Sequence, residues 1–273
     1  MPRIEVLKKL IPPLLGSIWA RLKYKSLCIL YQKRANYDDV EIAALVAKKN
    51  AIYKIRSDNL IHDSEETAVF FSALWFLEKF YKKEKFQILD FGGGGGSHYF
   101  TYKNRVQQDI SDWIVVETPS MVAACKTLSD TKLRFITFGE IDTQDLNVDL
   151  IYSSCALQYT ASPEESLTQL LNLKAKTLCF SRIILTKNES EVEILEISKL
   201  GGNGPILTGD DFEGKNVSYI SVAMPQKIFE KRIEEFYTIQ LRIENSPTQA
   251  YLTEGIKNTK LMTYIAVLNP NHT

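Results

Sequence analysis

The run Gln87-Ile88-Leu89-Asp90-Phe91-Gly92-Gly93-Gly94-Gly95-Gly96-Ser97-His98 constrains this chain more than any other stretch. An apolar strand ends in an acid and opens into five consecutive glycines. Glycine has no Cβ, so such a loop turns sharply and lets its backbone N–H groups touch a ligand, at an entropic cost that an ordinary connection avoids. The flanking residues separate the kinds of ligand. A phosphate-cradling loop needs Lys and Ser or Thr after its last glycine, and Gly96 is followed by Ser97 and His98, so ATP and GTP fall away. A dinucleotide loop needs G-x-G-x-x-G, and Gly92, Gly94 and Ser97 approach that spacing, so a nicotinamide-dependent oxidoreductase stays open. Asp90 favours a ligand with a cationic end over a pyrophosphate, which its charge would repel.

After residue 66 the pattern alternates helix and strand signals, as a doubly wound α/β fold does. Glu66 to Tyr81 carries Val69, Phe70, Ala73, Leu74, Leu77 and Phe80 at helical spacing. Strands are expected at Phe86–Phe91, Trp113–Glu117, Leu133–Thr137, Val148–Ser154, Thr177–Leu185, Thr238–Ile243 and Leu261–Leu268, which makes seven. Helices are expected from the glycines to about Val106, from Pro119, from Pro163 behind a Ser162 cap, and over Pro225 to Phe236. Leu200 to Pro205 and Gly209 to Gly214 read as a turn-rich excursion at the edge where an acceptor enters.

The expected domain organisation is a basic, helical N-terminal extension over 1–65 and a cofactor-binding domain over 66–273. Acidic and basic residues balance, 33 against 33, so nothing global points to nucleic acid. Up to residue 36, however, eight basic residues face only Glu5, around an apolar stretch from Leu10 to Ala20 that Pro12 and Pro13 interrupt. That stretch is shorter than the ~20 apolar residues that span a bilayer. The segment suits docking on the chain's own core or peripheral contact with an anionic membrane. Cys28, Cys125, Cys155 and Cys179 form no C-x-x-C pair, and His62, His98 and His272 form no metal-ligand spacing. A reduced, cytoplasmic protein without a structural metal is the expectation.

Three blocks, Ile88 to Phe100, Trp113 to Ala124 and Val148 to Tyr159, together resemble an uncharacterised bacterial family of class I (Rossmann-like) methyltransferases that use S-adenosylmethionine (SAM). Its members often accompany surface-polysaccharide genes. The chain departs from the family pattern at Thr118, where Gln is favoured, and at Cys125, where Gly is favoured. The resemblance implies a Rossmann-like methyltransferase fold, a seven-stranded, mostly parallel sheet with helices on both faces. It also implies SAM as cofactor and a small-molecule, sugar or glycan-intermediate acceptor, with a catalytically degenerate SAM-fold protein that binds a partner as the alternative beside the oxidoreductase. For the cofactor it points to Asp90, Phe91, Gly92, Gly93, Gly94 and Gly96 in the loop, with Asp90 balancing the ammonium of the methionine end. Glu117, at the end of the second strand, would accept from the ribose hydroxyls, with Thr118 beside it. Glu140 and Ile141, after the third strand, would contact adenine, and Ser154 would lie near the transferred methyl. On the catalytic side His98 is the candidate base, kept neutral by the helix N-terminus on which it sits. Tyr159 would position the acceptor or cover the sulfonium, and Arg182 would bind an acidic or phosphorylated acceptor.

Overall fold

The computed structural model describes residues 38–56, 65–83, 85–105, 109–144, 146–205, 207, 214, 216–245 and 258–272. The basic N-terminal segment to residue 37, with Cys28 and its expected membrane contact, lies outside them, as do His62 and most of the turn from Gly209 to Gly214.

The chain runs α1 (Val40–Arg56), α2 (Glu65–Phe80), β1 (Lys85–Phe91), α3 (Ser97–Arg105), β2 (Asp109–Glu117), α4 (Pro119–Cys125), β3 (Leu133–Thr137), β4 (Leu150–Ser154), α5 (Pro163–Asn172) and β5 (Thr177–Thr186). It continues through β6 (Val192–Lys199), β7 (Asn216–Pro225), α6 (Gln226–Glu234), β8 (Tyr237–Glu244) and β9 (Thr259–Leu268). The parallel strands stand in the order β3-β2-β1-β4-β5, β9 pairs antiparallel with β5, and β8 closes the edge against β9. These are the seven expected strands in a Rossmann-like arrangement with its order reversing between β1 and β4.

Side chains alternate across this sheet. Ile88, Trp113, Val115, Leu150 and Tyr152 face α1 to α4, where Phe70, Leu74, Tyr99 and Met121 complete one core. Their neighbours Leu89, Ile114, Val116, Ile151 and Phe180 face Leu167, Leu170, Phe229 and Ile233 of α5 and α6. Burial on both faces is why the central strands read as near-continuous apolar runs. Ser162 precedes Pro163 as expected, but its side chain makes no capping hydrogen bond.

The structure adds a hairpin the sequence reading passed over. β6 and β7 pair antiparallel along their whole length, Val192 with Ala223 through to Lys199 with Asn216. They join the main sheet only at Leu185 with Met224 and Thr186 with Pro225. The turn-rich excursion is the tip of this insertion, beyond the end of β5. By the crevice rule, ligands of such a sheet sit outside the carboxyl ends of its strands at the point where the order reverses, here β1 and β4.

Candidate active site

The glycine run leaves β1 at Gly92, whose N–H donates to Val116 O at 2.9 Å. Gly92, Gly94 and Gly96 have φ of +71°, +58° and +85°, backbone that other residues reach only with strain. A Cβ on Gly92 would stand 2.1 Å from the Ala156 Cβ, and one on Gly93 would stand 2.4 Å from Asp90 Oδ2. The alternate glycines therefore turn the chain, and Gly93 lets it close over a buried carboxylate. The loop opens on a cavity of about 1010 Å³, to which Phe91, Gly92, Gly93, Gly94, His98, Glu117, Thr118, Ser154, Tyr159 and Arg182 all contribute. A pocket of that size has room for a drug-sized ligand and a second molecule beside it. Gly96 is not among the lining residues; it faces Leu133 and Phe135.

Asp90 lies beneath the loop, fully buried, instead of lining the cavity. It accepts from Trp113 Nε1 at 3.3 Å and binds His98 Nδ1 at 3.0 Å. On the other side of the ring, His98 Nε2 meets Glu66 Oε1 at 3.2 Å, and Arg182 donates to the same oxygen at 2.8 Å and to Ser154 Oγ at 3.0 Å. Burial lowers the His98 pKa, but the charge and hydrogen bond of Asp90 and those of Glu66 outweigh it and push it up to about 10. Burial raises Glu66, but His98 and the Arg182 charge bring it down to about 2. This corrects two expectations. His98 is an imidazolium with no lone pair to take a proton, because two carboxylates outweigh the helix terminus. The charge of Asp90 is already balanced by His98, and the acid that faces the cavity is Glu66, on α2.

Glu117 stands where the strand pattern puts it, at the end of β2. Its Oε1 accepts from Gly94 N at 2.9 Å and its Oε2 from Thr118 N at 3.0 Å, leaving each oxygen one further lone pair. Burial pushes its carboxyl up to about 7, against the pull of those two N–H groups and with the charges of Asp90 and Asp38 adding to the rise. Thr118 Oγ1 caps α4 by accepting from Met121 N at 3.4 Å.

The two residues expected at the adenine, Glu140 and Ile141, turn away from the cavity. Glu140 folds back to accept from the Thr137 N–H and hydroxyl at 2.6 and 2.7 Å, and Ile141 is buried among Val148, Leu157 and Leu167 of the core. Neither lines the cavity; Thr137, Phe138 and Gly139 do, with the Phe138 ring edge to face with Phe91 at 5.4 Å. Phe138→Ala is therefore expected to weaken binding of an adenosyl ligand about tenfold, as loss of one aromatic contact does, and Glu140→Ala by no more than about twofold; calorimetry separates the two.

Two non-glycine residues beside the cavity carry positive φ, Cys155 just after β4 at +53° and Arg182 in the middle of β5 at +54°. They are joined by Cys155 N donating to Ser181 O, and the pairing of β5 with β9 slips between Phe180 and Ile183. That bulge turns Arg182 out of an otherwise buried strand and into the cavity. Non-glycine residues held in this region mark over-determined, functional backbone. Other contributors were not signalled in the sequence: Val46 and Asn50 of α1, Glu66, and Glu196 and Tyr219 of the inserted hairpin. Lys49 of α1 donates to Gly201 O at 3.0 Å and Asn203 O at 2.7 Å, tying the hairpin's approach loop to α1 above the glycines. Gly201 to Gly204 is thus a loop docked on α1.

No protein-family model and no curated protein matches the chain. Solved structures of similar layout include a SAM-dependent methyltransferase from Clostridium acetobutylicum, 12% identical over 81% of this chain and 98% of that one, with a TM-score of 0.48. The SAM-bound amino pentose methyltransferase CalS10 from Micromonospora echinaspora is 13% identical over 81% and 97%, with a TM-score of 0.46. A SAM-dependent methyltransferase from Mesorhizobium loti is 15% identical over 73% and 99%, with a TM-score of 0.41. Identities this low carry over no residue role and no substrate.

Proposed function

We propose that the chain is a SAM-dependent methyltransferase acting on a small-molecule, sugar or glycan-intermediate acceptor. The observation that carries this reading is the acidity of the one cavity that joins the glycine loop to Glu117. Among the described residues its wall holds Asp38, Glu66, Glu117, Glu165 and Glu196 against His98 and Arg182. Such a surface attracts a sulfonium and repels the pyrophosphate of a nicotinamide dinucleotide. The residues fit the cofactor in detail. Glu117 has lone pairs for two ribose hydroxyls, Phe138 and Phe91 offer ring faces for adenine, and Glu66 between His98 and Arg182 makes a corner for a zwitterion, ammonium to the acid and carboxylate to the cations.

When bound, SAM supplies a methyl group already activated by its sulfonium. The chain's own residues then align the acceptor, shield the site from water and remove a proton where the nucleophile carries one. In the proposed organisation the domain over 66–273 does this work, with α1 of the extension docked on its glycine loop. Titration with SAM, S-adenosylhomocysteine and NAD in parallel tests the reading. Micromolar binding of the two adenosyl ligands without NAD supports it, and binding of NAD alone overturns it.

A pH series tests the place of Glu117. Its carboxyl titrates at about 7 in the free protein. Hydroxyl donors favour the ionised form, so binding releases a proton, and affinity rises with pH until the free carboxyl is fully ionised. SAM affinity is expected to be about tenfold higher at pH 8 than at pH 6, and Glu117→Gln to be weaker and nearly flat over that range.

A further inference from the structure

The cavity extends beyond the residues given to the cofactor. Past the end of β4 its wall is made by Tyr159 and by Glu196 and Tyr219, the last two from the inserted hairpin β6–β7. The Tyr159 hydroxyl donates to Glu196 Oε2 at 3.0 Å, and the Tyr159 and Tyr219 rings meet edge to face at 5.2 Å. Glu196 is only 7% exposed, with the Ser221 hydroxyl of β7 beside it and the Tyr159 hydroxyl on Oε2. A buried carboxylate is costly while ionised, and taking up a proton relieves it. Burial pushes this carboxyl above the usual carboxylate range, with Ser221 and Tyr159 pulling the other way.

We propose that Tyr159 and Glu196 form a proton relay on the acceptor side of the cavity, and that the acceptor is an amine entering as its ammonium ion. The proposal rests on the methyltransferase reading and names its acceptor class. Charge decides between amine and alcohol. SAM brings one net positive charge to a wall of five carboxylates and two cations, so the bound cavity keeps a negative surplus. A cationic acceptor relieves that surplus and a neutral alcohol does not, in a place where charge is poorly screened. The two tyrosine rings add π faces for a cation. An acidic or phosphorylated acceptor meets repulsion instead, and Arg182, the group the sequence offered for it, already engages Glu66 and Ser154.

In the relay, Tyr159 Oη takes one proton from the ammonium as it passes its own to Glu196 Oε2. The neutral amine then attacks the methyl carbon: the C–N bond forms, the C–S bond breaks and its electron pair stays on sulfur. The methylated product leaves as an ammonium ion with S-adenosylhomocysteine, and Glu196 returns its proton to solvent.

The test titrates the full chain, loaded with S-adenosylhomocysteine, with cyclohexylamine against cyclohexanol and glucosamine against glucose. The amines are expected to bind at least about tenfold more tightly than the matching alcohols. Glu196→Gln should cut that preference at least about threefold while its affinity for S-adenosylhomocysteine, which carries no sulfonium, stays within about twofold of the wild type, which shows that the site has folded. With an amine that binds and SAM saturating, methyl transfer is expected to fall by about 10²-fold or more in Glu196→Gln and in Tyr159→Phe, and the acid limb of the kcat/KM profile for the amine should move up towards the amine's own pKa. Alcohols binding as tightly as amines, or a preference undiminished in Glu196→Gln, overturns the proposal. A wild-type chain that fails to bind SAM overturns the methyltransferase reading instead.

Discussion

Asp90→Asn is expected to lower the unfolding free energy by about 3 kcal/mol at pH 6.5, among the largest losses available to a single side chain here. Asp90 is fully buried and shares its oxygens between the His98 ring and Trp113 Nε1. Removing its charge leaves a half-enclosed imidazolium facing only Glu66. The pH dependence identifies the cause. His98 titrates at about 10 in the folded chain and near 6.5 in an unfolded one, so the folded state holds the extra proton between those values. Its contribution is complete below pH 6.5 and is lost as pH rises towards 10. Glu66, held down to about 2, contributes above about 4.5 and loses its effect as pH falls. Urea unfolding should therefore show the wild type losing stability from pH 6.5 to pH 10 and Asp90→Asn losing much less. A variant whose deficit is the same at both ends would detach the effect from the His98 charge.

Local signals in the sequence survived folding, and signals that depend on distant contacts were invisible there. The phase of Gly92, Gly94 and Gly96 was legible because left-handed backbone selects glycine position by position. Glu117 was legible because a strand end in a doubly wound sheet has a fixed relation to the loop. Glu66 was not: it reaches Arg182 across 116 positions, and on α2 it reads only as an acid in a first turn. The state of His98 was misjudged for the same reason, since the two acids that charge it come from β1 and α2. After β3 the loop holds both an acid and an apolar residue as expected, yet local hydrogen bonding turns Glu140 onto Thr137 and leaves Phe138 at the cavity. The hairpin β6–β7 had a usable signal in two runs rich in Val, Ile, Leu and Tyr, Val192 to Ile197 and Val217 to Val222, which the glycines at its tip obscured. Without that hairpin the cavity loses Glu196 and Tyr219, which stand 100 or more positions beyond Gly96.

Gly92→Ala is expected to abolish SAM binding at the concentrations that saturate the wild type, a loss of about 100-fold or more. Two costs add at this position. A Cβ at φ +71° is strained by about 1–2 kcal/mol in L-residues. The same atom would stand 2.1 Å from the Ala156 Cβ, in a packed region where such insertions cost about 1–3 kcal/mol. Relief has to come from the backbone, because Ala156 offers no rotamer to move aside. Either Gly92 gives up its hydrogen bond to Val116 O, which carries the loop towards Glu117, or the turn at Ala156 shifts and takes Ser154 and Tyr159 out of register. Both responses open the cavity between β1 and β4, so the loss should appear in affinity as well as in thermal stability. A Gly92→Ala protein that still binds SAM with wild-type affinity would remove the glycine loop from the binding site and the proposed function with it.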